Sequence, residues 1–210
     1  MKKITHDFLR FSLVMLIGIW VVTCATKSYI NVNYRLPLSS HDLKGMKIFL
    51  ELKDIRPVKT IFSERAKTKF KNFTGLFLFS LPNGGKKNFV VGAFDLPSLF
   101  KTAFSRRLEN MGIEVLTEPE KTEPVIEIDL QNFLLDLVDR KWVAEISYEV
   151  RLIKANKLLA RETISGNAER LKMLSQSDVE KVLGEIFTDV VNKVDFRKLL
   201  QQADLQRSNS

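Results

Sequence analysis

Alternating apolar and polar residues predict most of the strands in this chain. From Met46 to Leu52 every second residue is apolar, which is the pattern of a half-buried strand. Two apolar, aromatic runs, 76–81 and 88–94, flank an Asn-Gly-Gly sequence and predict a hairpin. The rings of this hairpin belong to Phe77, Phe79, Phe89 and Phe94. Most of them should face the core; the alternative is that some of them line a groove for a lipid or a partner.

A second group of alternating segments follows a charged loop. Residues 126–137, 142–152 and about 158–168 predict a three-stranded meander. The apolar phase of its first strand slips near Asn132, which indicates a bulge. Its last strand is polar on both faces and is therefore expected at a sheet edge.

Apolar residues at helical spacing predict two helices. The first has Asp95 as its cap and Pro97 in its first turn, and it ends at Gly112, before a short strand over 113–116. Ser175 and Ser177 are the candidate caps of the second, which is expected to run to about Leu200 as one helix. Its core-facing residues are Val179, Val182, Leu183, Ile186, Phe187, Val190, Val191 and Val194.

These elements predict an α+β fold. We expect a mostly antiparallel sheet with two helices packed on one face, preceded by an N-terminal signal helix and an extended tether. The expected divisions are 1–23 for the signal peptide, 24–45 for the modified N-terminus and tether, 46–200 for the folded domain and 201–210 for a polar tail.

The first twenty-four residues have the layout of an export signal. Lys2, Lys3 and Arg10 precede an uncharged run over 11–22, and Cys24, the protein's single cysteine, follows. The sequence Val21-Val22-Thr23-Cys24 resembles the lipobox of bacterial lipoproteins, in which the cysteine carries the lipid. Two alternatives remain: an uncleaved membrane anchor, although sixteen uncharged residues are fewer than the ~20 that span a bilayer, and an ordinary signal with an incidental cysteine.

The scarcity of histidine and cysteine limits the chemistry that this chain can perform. After residue 23 it contains one histidine, His41, and one cysteine, Cys24. A Cys/His zinc cluster and a Cys–His nucleophile pair are therefore excluded, and there is no P-loop or Gly-x-Gly-x-x-Gly sequence. We expect no catalytic residues, cofactor or metal, and Cys24 is the one candidate site, for lipidation.

The net charge of +8 falls to +6 without residues 1–23 and favours contact with anionic surfaces. Much of it lies in the segment Lys59–Asn72, where Arg65, Lys67, Lys69 and Lys71 stand around Phe62, Phe70 and Phe73. Such a segment suits phospholipid or nucleic acid, but a solvated loop is the simpler interpretation, and an exported protein rarely meets nucleic acid. The pairs Arg106-Arg107 and Lys86-Lys87 are expected in solvent, and Trp142 in the core or at the sheet rim.

The chain also resembles YajG-like lipoproteins and, more distantly, LptE-like and ABC-transport auxiliary lipoproteins. The residues that carry this resemblance are the box at Cys24, Asp54-Ile55-Arg56-Pro57, the helix 96–111 with Gly112-Ile113-Glu114-Val115, and segments 125–130, 142–152 and 179 onward. The resemblance implies a lipid-anchored, periplasm-facing protein without enzymatic activity. It also implies the outer membrane, because Ala25 stands where Asp would retain a lipoprotein at the inner membrane.

Three functions are compatible with these observations. The first is a non-enzymatic module, attached to the membrane by its lipid, that joins an envelope protein complex in assembly or in lipid or lipopolysaccharide transport. The second is a carrier that encloses a small lipid or cell-wall ligand between sheet and helices. The third, an enzyme, requires a cleft with convergent polar groups that the sequence does not indicate.

Overall fold

A computed structural model describes residues 28–83, 86–171 and 177–208. The predicted signal segment and Cys24 lie outside these residues, so their predictions stay untested. In chain order the elements are β1 (Ser28–Asn33), β2 (Lys47–Asp54), α1 (Glu64–Lys67), β3 (Phe73–Asn83), β4 (Lys86–Phe94), α2 (Leu96–Asn110), β5 (Glu114–Leu116), β6 (Val125–Val138), β7 (Lys141–Lys154), β8 (Lys157–Leu171), α3 (Ser177–Lys193) and α4 (Phe196–Ser208).

The strands form two mixed sheets. The larger has five strands in the order β5-β2-β6-β7-β8, with parallel pairing of β2 to β5 and β6 and antiparallel pairing among β6, β7 and β8. The smaller has the order β1-β3-β4, in which β1 is parallel and β4 antiparallel to the central β3. Helix α3 packs against β7 and β8 on one side and against β1 on the other.

Aromatic rings fill the space between the sheets and the helices. Phe187 of α3 lies 4.8 Å from the ring of Phe100 and 6.4 Å from that of Phe79, measured between centroids. Phe77 and Phe133 bridge the two sheets at 5.9 Å. All five side chains are buried, so this interior is a packed core, stabilised by apolar burial and edge-to-face ring contacts.

The α+β class is confirmed, as are several local predictions. Asp95 caps α2 by accepting the Ser98 amide at 2.9 Å, and Gly112 has the positive φ of 88° that favours glycine after a helix. The predicted bulge is present, because the β6–β7 register shifts between Leu130 and Asn132. Strand β8 lies at a sheet edge, as expected. In the hairpin Phe77 and Phe79 face the core, whereas Phe89 is exposed.

The first correction concerns the expected tether. From Ser28 onward the chain is a strand of the small sheet, and Ile30, Val32 and Tyr34 are completely buried. The asparagines at positions 31 and 33 made this segment look like a polar linker. They occupy the opposite face of the strand, so the segment is a genuine alternating strand that pairs with β3.

The second correction concerns the C-terminal helix, which is two helices. The apolar stripe continues across the break, but Asp195 caps a new helix by accepting the amide of Lys198 at 3.0 Å. Helix α4 then runs to Ser208, through residues expected to be a frayed tail. Among the helices of the described ranges, none is long and apolar enough to cross a membrane.

Candidate functional site

The connection between β2 and β3 is bound to the domain by an ionic turn. The carboxylate of Asp54 accepts hydrogen bonds from Arg56 Nε at 3.0 Å and Nη2 at 2.8 Å, and from Lys59 Nζ at 3.1 Å. Burial alone would raise the pKa of Asp54, but the hydrogen bonds from Arg56 and Lys59 outweigh it and lower this pKa to about 2. Asp-Ile-Arg-Pro therefore forms this turn, beginning at the last residue of the strand.

Backbone and ring contacts then hold the segment Lys59–Asn72, called the basic segment below, along β6. The Leu135 amide donates to the Ile61 carbonyl at 2.7 Å, and the Ser63 amide donates to the Leu135 carbonyl at 3.0 Å. Phe62 stacks on Phe70 at 4.7 Å, and Phe70 contacts Trp142 at 5.6 Å. The segment is therefore built into the domain by its phenylalanines, while its cations Arg65, Lys67, Lys69 and Lys71 remain exposed.

An apolar pocket of about 370 Å³ lies beside this segment. We call it the phenylalanine pocket; its apolar lining consists of Ile61, Phe62, Phe73, Phe77, Leu96 and Pro97. Arg56, Lys59 and Lys67 also line it. Arg56 is only 5% exposed, and its Nη1 has no hydrogen-bond partner among the described residues. The volume lies at the lower end of the range typical of ligand pockets, ~300–1,000 Å³.

Strand pairing brings the chain just after the predicted lipidation site to this region. Strand β1 starts at Ser28, which pairs with Phe73 at the start of β3. Cys24 precedes Ser28 by four residues, and a chain of that length spans at most about 14 Å. A group attached to Cys24 would therefore lie near the basic segment.

A larger groove of about 800 Å³ lies between helix α3 and the outer face of the small sheet. Most of the residues that line it are polar or charged, and Asn31 and Glu180 form a hydrogen bond there at 2.8 Å. Helix α3 approaches β1 so closely here that a Cβ on Gly184 would lie 3.2 Å from the Asn33 carbonyl oxygen. The groove can offer amide and carboxylate hydrogen-bonding groups to a partner.

Two carboxylates of the large sheet, Glu127 and Asp129, pair with one arginine. Arg151 joins Glu127 at 2.9 Å and Asp129 at 2.6 Å on the sheet face, as in a ladder of cross-strand ion pairs. Within the described residues, no group of three or more His, Cys, Asp or Glu side chains is placed to hold a metal ion.

The expectation that Arg106-Arg107 lies in solvent is wrong for Arg107. Arg106 is about half exposed and pairs with Glu109, but Arg107 is buried and donates to the carbonyls of Val191 and Val194 at the end of α3. Its guanidinium also lies 5.0 Å from the ring centroid of Phe196. Burial lowers the pKa of Arg107. It is a helix-capping residue, and no such role was predicted from the sequence.

The other cationic and aromatic predictions have different outcomes. Trp142 is 3% exposed and belongs to the core, as expected. The side chains of Lys86 and Lys87 lie outside the described ones. The pairing of Ser28 with Phe73, which brings the N-terminal segment to the basic segment, was not predicted. The alternation of Ile30, Val32 and Tyr34 was the available signal.

Sequence comparisons assign no family to this chain. No family model matches it, and no curated protein matches it. Its fold is nevertheless shared with a solved structure, a DUF330-family protein from Xanthomonas campestris. That protein is 12% identical, with a TM-score of 0.53 over 86% of this chain and 99% of the other.

Two further solved structures have lower similarity. The rare lipoprotein B from Shewanella oneidensis is 10% identical, with a TM-score of 0.40 over 77% of this chain and 97% of its own. A hypothetical protein from Chlamydia trachomatis is 12% identical, with a TM-score of 0.42 over 77% and 99%. The argument for a shared fold therefore rests on the Xanthomonas protein, and it extends to the fold alone.

Proposed function

We propose that this protein is a non-enzymatic lipoprotein of the bacterial envelope, anchored to a membrane by acylated Cys24. The observation that carries the proposal is the position of the single cysteine. It follows a basic and then apolar export-type segment and precedes the first strand by only four residues. A cysteine acylated there would hold the folded domain directly at the membrane surface. Multiple acyl chains would make that attachment stable, since one chain binds only marginally.

The domain acts as an interaction module in envelope assembly or in lipid or lipopolysaccharide transport. Strand β4 lies at the edge of the small sheet, beside the groove between α3 and that sheet, and Phe89 and Val90 on it are 62% and 48% exposed. An extended segment of a partner protein can pair with such an edge, with the two apolar side chains contributing to the contact. The alternative, a carrier that encloses its ligand between sheet and helices, is disfavoured by the aromatic rings that fill that space.

Metabolic labelling with palmitate tests the attachment. Cys24→Ala should abolish incorporation and release the protein from the membrane fraction. The variant Cys24→Ala/Lys121→Cys is the matched control, because it restores one exposed cysteine at a position where no lipidation is expected, and it should also stay unlabelled. Labelling that persists in Cys24→Ala would refute the proposal.

Two further experiments address the membrane and the partner. Ala25→Asp should move the protein from outer-membrane to inner-membrane fractions in a density gradient; an unchanged distribution would count against outer-membrane sorting. A photo-crosslinking amino acid at Phe89 should capture an envelope protein, whereas the same group at exposed Lys121 should not. Equal or absent crosslinks at the two positions would remove β4 as the recognition edge.

A further inference from the structure

We propose that the basic segment is a docking surface for an anionic lipid bilayer. This inference rests on the proposed anchoring through Cys24 and adds an orientation: the domain presents the start of β1 and β3 to the membrane. Three observations carry it, namely the concentration of charge, the place where the chain enters the domain, and the way in which the phenylalanines fix the segment.

Charge is concentrated in this segment. Its fourteen residues contain five cations and one anion, for a net charge of +4, whereas the whole chain after residue 23 carries +6. Lys67 forms an ion pair with the highly exposed Glu64, at 3.7 Å, and a surface pair of this kind is weak. Within the described residues, Lys69 and Lys71 have no ion-pair partner. Positive groups with this freedom are attracted to the negative surface of a bilayer.

The point of chain entry places the segment at the membrane. Because Ser28 pairs with Phe73, and Phe73 directly follows the basic segment, an anchor at Cys24 keeps Lys69 and Lys71 within a short distance of the headgroups. The surface continues to the exposed Arg140 in the β6–β7 turn, since Phe70 contacts Trp142 two residues beyond that turn.

The segment is also held in a defined shape. The ionic turn at Asp54 fixes one end, and the stacked rings of Phe62 and Phe70 fix the middle. Cations on a preformed surface bind without the entropy cost of ordering a loop. Two exposed apolar side chains in the same connection, Ile55 and Val58, are 51% and 63% exposed and suit the interfacial region of a bilayer.

Fluorescence quenching in proteoliposomes tests this orientation. The full lipidated protein is labelled through a new cysteine at exposed Asn72 or, as the control, at exposed Thr122, which lies in the loop before β6 at the opposite end of the large sheet. The acylated Cys24 has no free thiol, so each protein carries one dye. A nitroxide on the lipid headgroup should quench the dye at residue 72 several times more strongly than the dye at residue 122.

Charge reversal then separates electrostatic docking from mere proximity. In vesicles that contain phosphatidylglycerol, Lys67→Glu/Lys69→Glu/Lys71→Glu should reduce quenching at residue 72 to the level at residue 122. Each cation near an anionic surface strengthens contact about fivefold, so losing three lowers the ratio of docked to undocked molecules on the order of 100-fold. The matched control Lys44→Glu/Lys121→Glu/Lys157→Glu, read with the dye at residue 72, should leave the quenching unchanged. Phosphatidylcholine alone or high salt should weaken it.

The outcomes are distinct. If the protein does not float with the vesicles, the proposed anchoring fails. If it floats but residues 72 and 122 are quenched equally, or if the charge reversal changes nothing, the anchoring stands and the docking surface is refuted. A dye at residue 72 that responds to a single-stranded oligonucleotide but not to vesicles would assign the surface to nucleic acid instead.

Discussion

Asn in place of Asp54 is the sharpest perturbation of the region that shapes the basic segment. Asp54→Asn keeps the size of the side chain and mimics a protonated aspartate, but it removes the charge that Arg56 and Lys59 contact. Arg56 is 5% exposed and would lose its counter-charge, while a buried guanidinium without a partner is costly. The variant should therefore destabilise the turn after β2 and, with it, the connection to β3.

The magnitude follows from the pKa of Asp54, which is lowered from 3.8 to about 2. A difference of that size corresponds to about 2 kcal/mol of stability at neutral pH. Because the pKa in the folded state is lowered, this stabilisation is fully present above pH 3.8 and is lost as the pH falls toward 2. The side chain of Asp54 is 16% exposed, so screening by solvent is limited.

Urea denaturation of wild type and variant at pH 7 and at stepwise lower pH measures this effect. The difference in the free energy of unfolding should be about 2 kcal/mol at pH 7 and should shrink as the pH falls from 4 to 2. Asp42→Asn is the matched control: its partner Arg197 is half exposed, so its effect should stay below about 1 kcal/mol. A difference at Asp54 that is negligible at pH 7, or independent of pH, would refute the reasoning.

Two further predictions concern the packing of α3. Gly166→Ala should destabilise the protein by about 1–3 kcal/mol in urea melts, because its Cβ would lie 2.5 Å from Val190 Cγ1. In the double variant Gly166→Ala/Val190→Ala that clash is removed, so the two changes in the free energy of unfolding should not add. Additive changes would contradict the contact. Arg107→Met should cost about 2 kcal/mol or more, since two carbonyls lose charged donors. A thermal midpoint equal to that of Arg106→Met would show that Arg107 is not a cap.

Local patterns predicted those elements whose cause is local. Asp95 caps α2 because its own carboxylate reaches an amide three residues on, and the slip of the apolar phase near Asn132 marks the bulge within β6 itself. The break between α3 and α4 had a local signal too, namely Asp195 as a cap. The unbroken apolar stripe masked it, since both helices bury that stripe in the same core.

Features that depend on distant pairing were not predictable in this way. Arg107 lies on the buried face of α2, three residues after Phe104 and four after Ala103, but only the arrival of the end of α3 gives its guanidinium carbonyls to bind. Strand β1 finds its partner β3 some forty-five residues along the chain. Parallel pairing of that kind leaves no turn signal in the sequence. The nearness of Cys24 to the basic segment depends on this pairing and was equally hidden.

The same pairing changes what an anchor at Cys24 implies. With an anchor at Cys24, a tether over residues 24–45 would let the domain sample a wide region above the membrane, whereas the four residues before Ser28 would hold one end of the small sheet at the surface. Strand β3 leads away from that end, and Leu81 on it pairs with Phe89. Eight residues separate Phe73 from Leu81, so the exposed edge at Phe89 stands about 25 Å from the start of β3. On the two proposals above, the hairpin would separate two roles along its length: lipid contact at its base and partner recognition near its tip.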